Sequence, residues 1–193
     1  MAFNPKDRFF HKAKKEGFLA RSAYKLDELQ AKYKLIKNGN WVLDLGAAPG
    51  AWSQVASKVI GHSGKVIGID LKVIDWKANN AQFYQMNAFE FDPNILEGHL
   101  MDVVLSDMAP NTTGVRSVDQ ARSHELCLEV LKIADQFLKP NGHLVMKVFE
   151  GPDAQEISKG LQQRFETFKR IKPEAVRKGS FETYVIGFKK KAP

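Results

Sequence analysis

The chain has 193 residues, of which 44% are hydrophobic, with one cysteine, five histidines and a formal net charge of +7. That length supports one domain with a core able to stand without metals, and the lone Cys127 excludes an internal disulfide. The scattered histidines offer no metal cluster, no run approaches the roughly 18 apolar residues of a membrane span, and the basic N-terminus lacks a signal peptide's apolar segment, so a soluble, cytoplasmic monomer is expected.

Residues 1–37 carry ten lysines and arginines against four acids and read as a basic helical extension packed onto the sheet's edge in the domain that follows, 38–193. Cations interleaved with Phe9, Phe10, Phe18 and Tyr24 resemble a nucleic-acid footprint, although a solvated basic surface would show the same charge. Beyond Lys37 strands and helices alternate. "WVLDL" (41–45) predicts a strand, "AWSQVASKVIG" a helix ended by Gly61, "KVIGID" (65–70) a second strand and "QFYQMN" (82–87) a third. "MDVVLSD" is the fourth strand. The segment 117–138 spaces Leu126, Val130, Ile133, Ala134 and Phe137 along one helix face, which "KPNG" should stop. "HLVMKVF" (143–149) predicts a fifth strand, "DAQEISKGLQQRF" a helix and "ETYVIGF" the final strand. This alternation predicts a single α/β domain with a mostly parallel sheet and helices on both faces.

In such folds ligands bind at the carboxyl ends of the strands. There the loop "DLGAAPGAW" places Gly46 and Gly50 where the backbone must turn tightly and approach a ligand, and Asp70 closes the next strand, where an acid can accept hydrogen bonds from ribose hydroxyls. Glycine loop and strand-end acid together point to an adenosine-bearing cofactor. The spacing is not the three-glycine pattern that cradles a pyrophosphate, which disfavours a nicotinamide oxidoreductase. Asp107 stands where the fourth strand gives way to a turn, either capping it or facing a ligand. Lys147 interrupts an apolar strand, where an unpaired ammonium is costly, so a charged partner is expected and Asp107 is the natural one.

"DLGAAPGAWSQ", "SDMAPN", "VMKVFEG" and "YKLDELQ" resemble the FtsJ/RrmJ family of 23S ribosomal RNA ribose 2′-O-methyltransferases, in order from about Asp7 to Phe188. The resemblance implies a Rossmann-like S-adenosylmethionine methyltransferase fold with an antiparallel C-terminal strand. It also implies a catalytic tetrad of Lys25, Asp107, Lys147 and Glu182, and cofactor contacts from Gly46, Gly50, Trp52, Asp70, Asn87 and Asp107, Asn87 standing where the family commonly has Asp. The implied partner is ribosomal RNA, a uridine within the large subunit, with tRNA, an mRNA cap or a non-catalytic role in ribosome assembly as alternatives. Without the family, Lys25 could belong to an amphipathic helix, Glu182 could be a solvated acid and Trp52 core. His124 and Met108 read as structural. In the implied reaction a neutral Lys147 takes the 2′-hydroxyl proton, against a reference lysine pKa of about 10.4, while Asp107 and Glu182 hold the two amines.

Overall fold

Successive side chains of a strand point to opposite faces, so a strand that is apolar throughout must be covered on both. The computed structural model, which describes residues 8–152, 154–177 and 179–192, has this arrangement at its centre. β1 (Trp41–Leu45), β2 (Lys65–Asp70), β3 (Ala81–Gln85), β4 (Met101–Ser106), β5 (Leu138–Phe149), β6 (Phe165–Ile171) and β7 (Glu182–Lys190) form one sheet in the order β3-β2-β1-β4-β5-β7-β6. The first five strands pair in parallel, and β7 runs antiparallel to both of its neighbours.

Alternation along the strands divides the core in two. Leu43, Leu45, Val104, Leu144 and Met146 meet Val130 and Ile133 of α4 (Arg116–Phe137) and Ile157 and Leu161 of α5 (Ala154–Arg164). Val42, Val103, Leu105, Val145 and Ile186 point the other way, onto Leu26 and Leu29 of α2 (Ala23–Tyr33) and Val55 and Ala56 of α3 (Ala51–Ile60). α1 (Arg8–Glu16) contributes Ala13, packed with Tyr24 and Ala175. α2 therefore lies on a sheet face and not, as expected, at the sheet's edge, because its apolar stripe completes a layer that α3 alone leaves open.

Two elements differ from the sequence expectation. β6 was not predicted: "FETFKRI" buries Phe165 but leaves charged residues exposed, as an edge strand paired only with β7 can. "KPNG" does not stop α4 by a turn. The helix ends at Phe137, Leu138 already pairs with Met101, and residues 139–142 bulge out before His143 pairs with Val103. The exposed carbonyls at the end of α4 are satisfied from far along the chain, where Lys190 Nζ donates to Ala134, Asp135 and Leu138 at 2.9, 2.6 and 2.8 Å. Asp153, expected to open α5, and residues 1–7 lie outside the described residues. Among those described, no helix is long and apolar enough to cross a membrane.

Candidate active site

The strand order reverses between β1 and β4, which opens a crevice at their carboxyl ends. A cleft of about 480 Å³ lies there, bounded by Gly46, Asp70, Asn87, Phe89, Met108 and Pro110, within the ordinary range for a small-molecule site. Gly46 makes room for it. Its φ is +75°, and a Cβ would stand 2.6 Å from Met108 Cγ and 3.0 Å from Met108 Cα, so the chain leaving β4 passes this closely only because residue 46 has no side chain. At the end of β2, Asp70 accepts the Ala48 N–H at 3.0 Å on one oxygen and the Lys72 N–H at 2.9 Å on the other. The carboxylate is thereby fixed, with lone pairs left over for ligand hydroxyls. Asn87 accepts the Phe89 N–H at 3.1 Å, which leaves one acceptor site and two donors on its amide. An acid for ribose hydroxyls, an amide for a base edge and apolar Ile69 and Met86 between them fit an adenosine.

Gly50 and Trp52 do not line this cleft. Gly50 opens α3 with φ +106°, and its Cβ position faces Leu19 at 3.1 Å and Ile74 at 3.4 Å. Trp52 is 2% exposed, donates its indole N–H to the Ser22 carbonyl at 2.9 Å and packs its ring 5.7 Å from that of Tyr184. Its position is that of a core residue fastening α3 to the start of α2. Beneath the loop, Asp44 is wholly buried and accepts the Ser53 hydroxyl at 2.6 Å, while burial pushes its carboxyl up to about 7. Its second oxygen has no hydrogen-bond partner among the described residues.

Beside the cleft, Lys25, Asp107, Lys147 and Glu182 come together on the α2 side of the sheet. Register brings the strand residues to one place: Lys147 faces Tyr184, and Phe149 faces Glu182, across the β5–β7 pair. Lys147 Nζ donates to Asp107 Oδ1 and to the Asp107 carbonyl, both at 2.7 Å. Lys25 Nζ, reaching down from α2, pairs with Glu182 Oε1 and donates to the Tyr184 hydroxyl at 3.1 Å. Burial raises the Asp107 carboxyl, but the ammonium groups of Lys147 and Lys25 and the hydrogen bonds from Lys147 and Tyr184 outweigh it and hold the group below the usual carboxylate range. The partner expected for Lys147 is thus in place and ionised.

Tyr184 is the residue that sequence reasoning missed. Its hydroxyl lies 2.6 Å from Asp107 Oδ1 and 2.9 Å from Glu182 Oε1, joining the two halves of the cluster. One O–H proton serves one of these acceptors, and the shorter contact assigns it to Asp107. Burial, then the charges of Asp107 and Glu182, push the phenol well above its ordinary value, so it remains a donor. The available signal was a tyrosine two places from Glu182, hence on the same strand face. Met108, read as structural, also lines the cleft. Since Asp107 belongs to the cluster and Met108 to the cleft, ligands in the two would meet at this turn.

The sequence profile of FtsJ-like methyltransferases matches residues 18–190. The chain is 44% identical over 196 aligned residues to a Bdellovibrio bacteriovorus protein named ribosomal RNA large subunit methyltransferase E, covering 99% of this chain and all of the relative. A Desulfosudis oleivorans protein of the same name is 48% identical, over 96% of this chain and 91% of its own length. In structure, a Plasmodium falciparum protein provisionally described as a ribosomal RNA methyltransferase superposes with a TM-score of 0.80 at 28% identity, covering 91% of this chain and all of the other.

Proposed function

The chain belongs to the FtsJ-like methyltransferase family, and from that premise we propose that it methylates a ribose 2′-hydroxyl of large-subunit ribosomal RNA, using S-adenosylmethionine. The observation that carries this reading is the buried cluster of two lysines, two acids and a tyrosine abutting a cleft shaped for an adenosine. Bound in that cleft, S-adenosylmethionine supplies a sulfonium-borne methyl group that the ribose 2′-oxygen takes in an in-line displacement, leaving S-adenosylhomocysteine. Asp70 accepts from the cofactor's ribose hydroxyls, Asn87 meets the adenine edge, and Gly46 lets the backbone close on the ligand.

Lys147 is the proton acceptor. In its amine form it has two N–H groups and one lone pair, and the two Asp107 oxygens at 2.7 Å take both N–H groups. The lone pair is then left for the substrate hydroxyl, whose proton moves to Nζ as the new O–C bond forms. Asp107 aims the amine, while Lys25 and Glu182 hold Tyr184 and the far side of the cluster. The target we assign is a uridine, and the protein works as a cytoplasmic monomer. Large ribosomal subunits lacking the mark, incubated with labelled S-adenosylmethionine, should acquire one 2′-O-methyl ribose that mapping locates in large-subunit RNA; label appearing only in tRNA or capped RNA would overturn the assignment.

A further inference from the structure

The pairing of β4 with β5 ends at Ser106 opposite Met146, yet β5 runs on through Lys147 to Phe149. Its other edge stays paired with β7 as far as Phe149. On the β4 side the buried peptide groups of this overhang must find partners elsewhere, and the chain leaving β4 does not supply them, since the Met108 N–H turns to Ser106 Oγ at 3.4 Å. α4 supplies them. The Cys127 thiol donates to the Lys147 carbonyl at 3.3 Å, Ser123 Oγ accepts the Phe149 N–H at 3.2 Å, and the Gln120 amide donates to the Glu150 carbonyl. Spacings of three and four residues put these side chains on one helix face. Ser123 and Cys127 are both buried, and their side chains also interact with each other. Burial pushes the thiol up to about 12, so Cys127 keeps the proton it donates.

We propose that Ser123 and Cys127 are positioning residues for the methyl transfer, holding the backbone of Lys147 from the α4 side while Asp107 holds its amine on the α2 side; the inference rests on the role of Lys147 proposed above. The chain must leave β4 after Ser106 for Asp107 to meet Lys147 Nζ at 2.7 Å and for Met108 to border the cleft. That departure strips β5 of its neighbour at the residue that takes the proton. A proton acceptor works within about 2.6–3.2 Å of its donor, and small misplacements of a reacting group cost rate steeply. Two side chains one helical turn apart on α4 replace the missing strand and keep the Lys147 peptide in place. Neither of them lines the cleft, so their contribution falls on the transfer step and not on binding.

The test is single-turnover methylation of large ribosomal subunits lacking the mark, with the full chain and saturating S-adenosylmethionine. Ser123→Ala removes the acceptor, and Cys127→Val replaces the thiol by an apolar group of comparable size. Each should slow the transfer about 2- to 12-fold, the rate equivalent of one hydrogen bond, while S-adenosylmethionine affinity and KM for the subunits hold. Cys127→Ser, which keeps a donor, should stay near the parent rate. In a Lys147→Ala chain, where there is no amine left to position, the same two substitutions should barely change the residual rate, whereas a merely structural role would slow both backgrounds alike. Should the combined variant fail to fold, each single substitution carries the same comparison. Parent-like rates in both single variants, equal slowing with and without Lys147, or lost cofactor affinity would each overturn the positioning role and leave the proposed reaction standing. No methylation of the subunits by the parent would overturn that reaction, and this inference with it.

Discussion

At the scale of single residues, a base and an electrostatic clamp make different demands on Lys147. Lys147→Ala should bind S-adenosylmethionine nearly as the parent does and lose methylation by roughly 100- to 10,000-fold, the usual contribution of a positioned acid–base group. Arginine keeps the charge but does not deprotonate in proteins, so Lys147→Arg should not recover single-turnover methylation; near-parent rates in that variant would reduce Lys147 to holding charge. Tyr184→Phe asks a different question. Removing its hydroxyl takes a donor from Asp107 and the contact from Glu182 inside a buried cluster. The expected loss is about 1–3 kcal/mol of stability in urea unfolding, together with slower methylation, and an unchanged unfolding midpoint would show that the bridge contributes nothing to the fold. In the cleft, Asp70→Ala should weaken S-adenosylmethionine binding by about 1.5–3 kcal/mol if a charge-assisted bond is lost, as titration calorimetry would read.

At the scale of elements, the loop after β1 ties cofactor cleft and reacting cluster together, because Gly46 admits the chain that carries Asp107. Alanine at position 46 would combine an αL backbone, which costs an ordinary residue about 1–2 kcal/mol, with a collision against the Met108 side chain and a tight 3.0 Å approach to its backbone. Gly46→Ala should thus lower both thermal stability and methylation, even though residue 46 donates no side chain to either. β1 carries a pH dependence through Asp44. Its carboxyl is raised by burial from 3.8 to about 7, so between about pH 4 and pH 7 the folded state holds a proton that the unfolded chain has released. Stability contributed by this group is fully present below pH 4 and is lost as pH rises through 7, at up to about 1.4 kcal/mol per pH unit. Asp44→Asn cannot ionise, and its denaturant midpoint should fall less than the parent's between pH 5 and pH 7.5; parallel curves would remove Asp44 as the source.

At the scale of the whole molecule, charge is segregated. The ends are basic while residues 38–163 carry ten lysines and arginines against fifteen acids. α1 presents Lys14 and Lys15 to solvent, whereas Lys12 lies 3.8 Å from Glu16 and over the Tyr24 ring; Lys6 lies outside the described residues. Arg8, Lys14 and Lys15 changed together to glutamine should weaken RNA binding and flatten its salt dependence by about 0.7 to 0.9 log units per lost phosphate contact. An unaltered salt slope would take the N-terminal helix out of the RNA footprint.

The order of strands and helices through β5, the family motifs and the residues Lys25, Asp107, Lys147 and Glu182 were all legible before any coordinates, because hydrophobic periodicity and short motifs are local properties of a chain. The pairing of Lys147 with Asp107 was legible as well, since a lysine inside an apolar strand demands a counter-charge. What only the tertiary structure decided depends on register and on contacts between distant segments. β7 inserts between β5 and β6 and sets Tyr184 opposite Lys147, which turns an unremarked core tyrosine into the bridge between two acids. Gly50 and Trp52, read as cofactor contacts, face the packing of α3 against α2 and its surroundings, because the face that the first turn of α3 presents inward is fixed by what packs against it. β6 escaped notice for the same reason: a strand at a sheet's edge keeps half its side chains in water, and only its pairing with β7 shows that it is a strand.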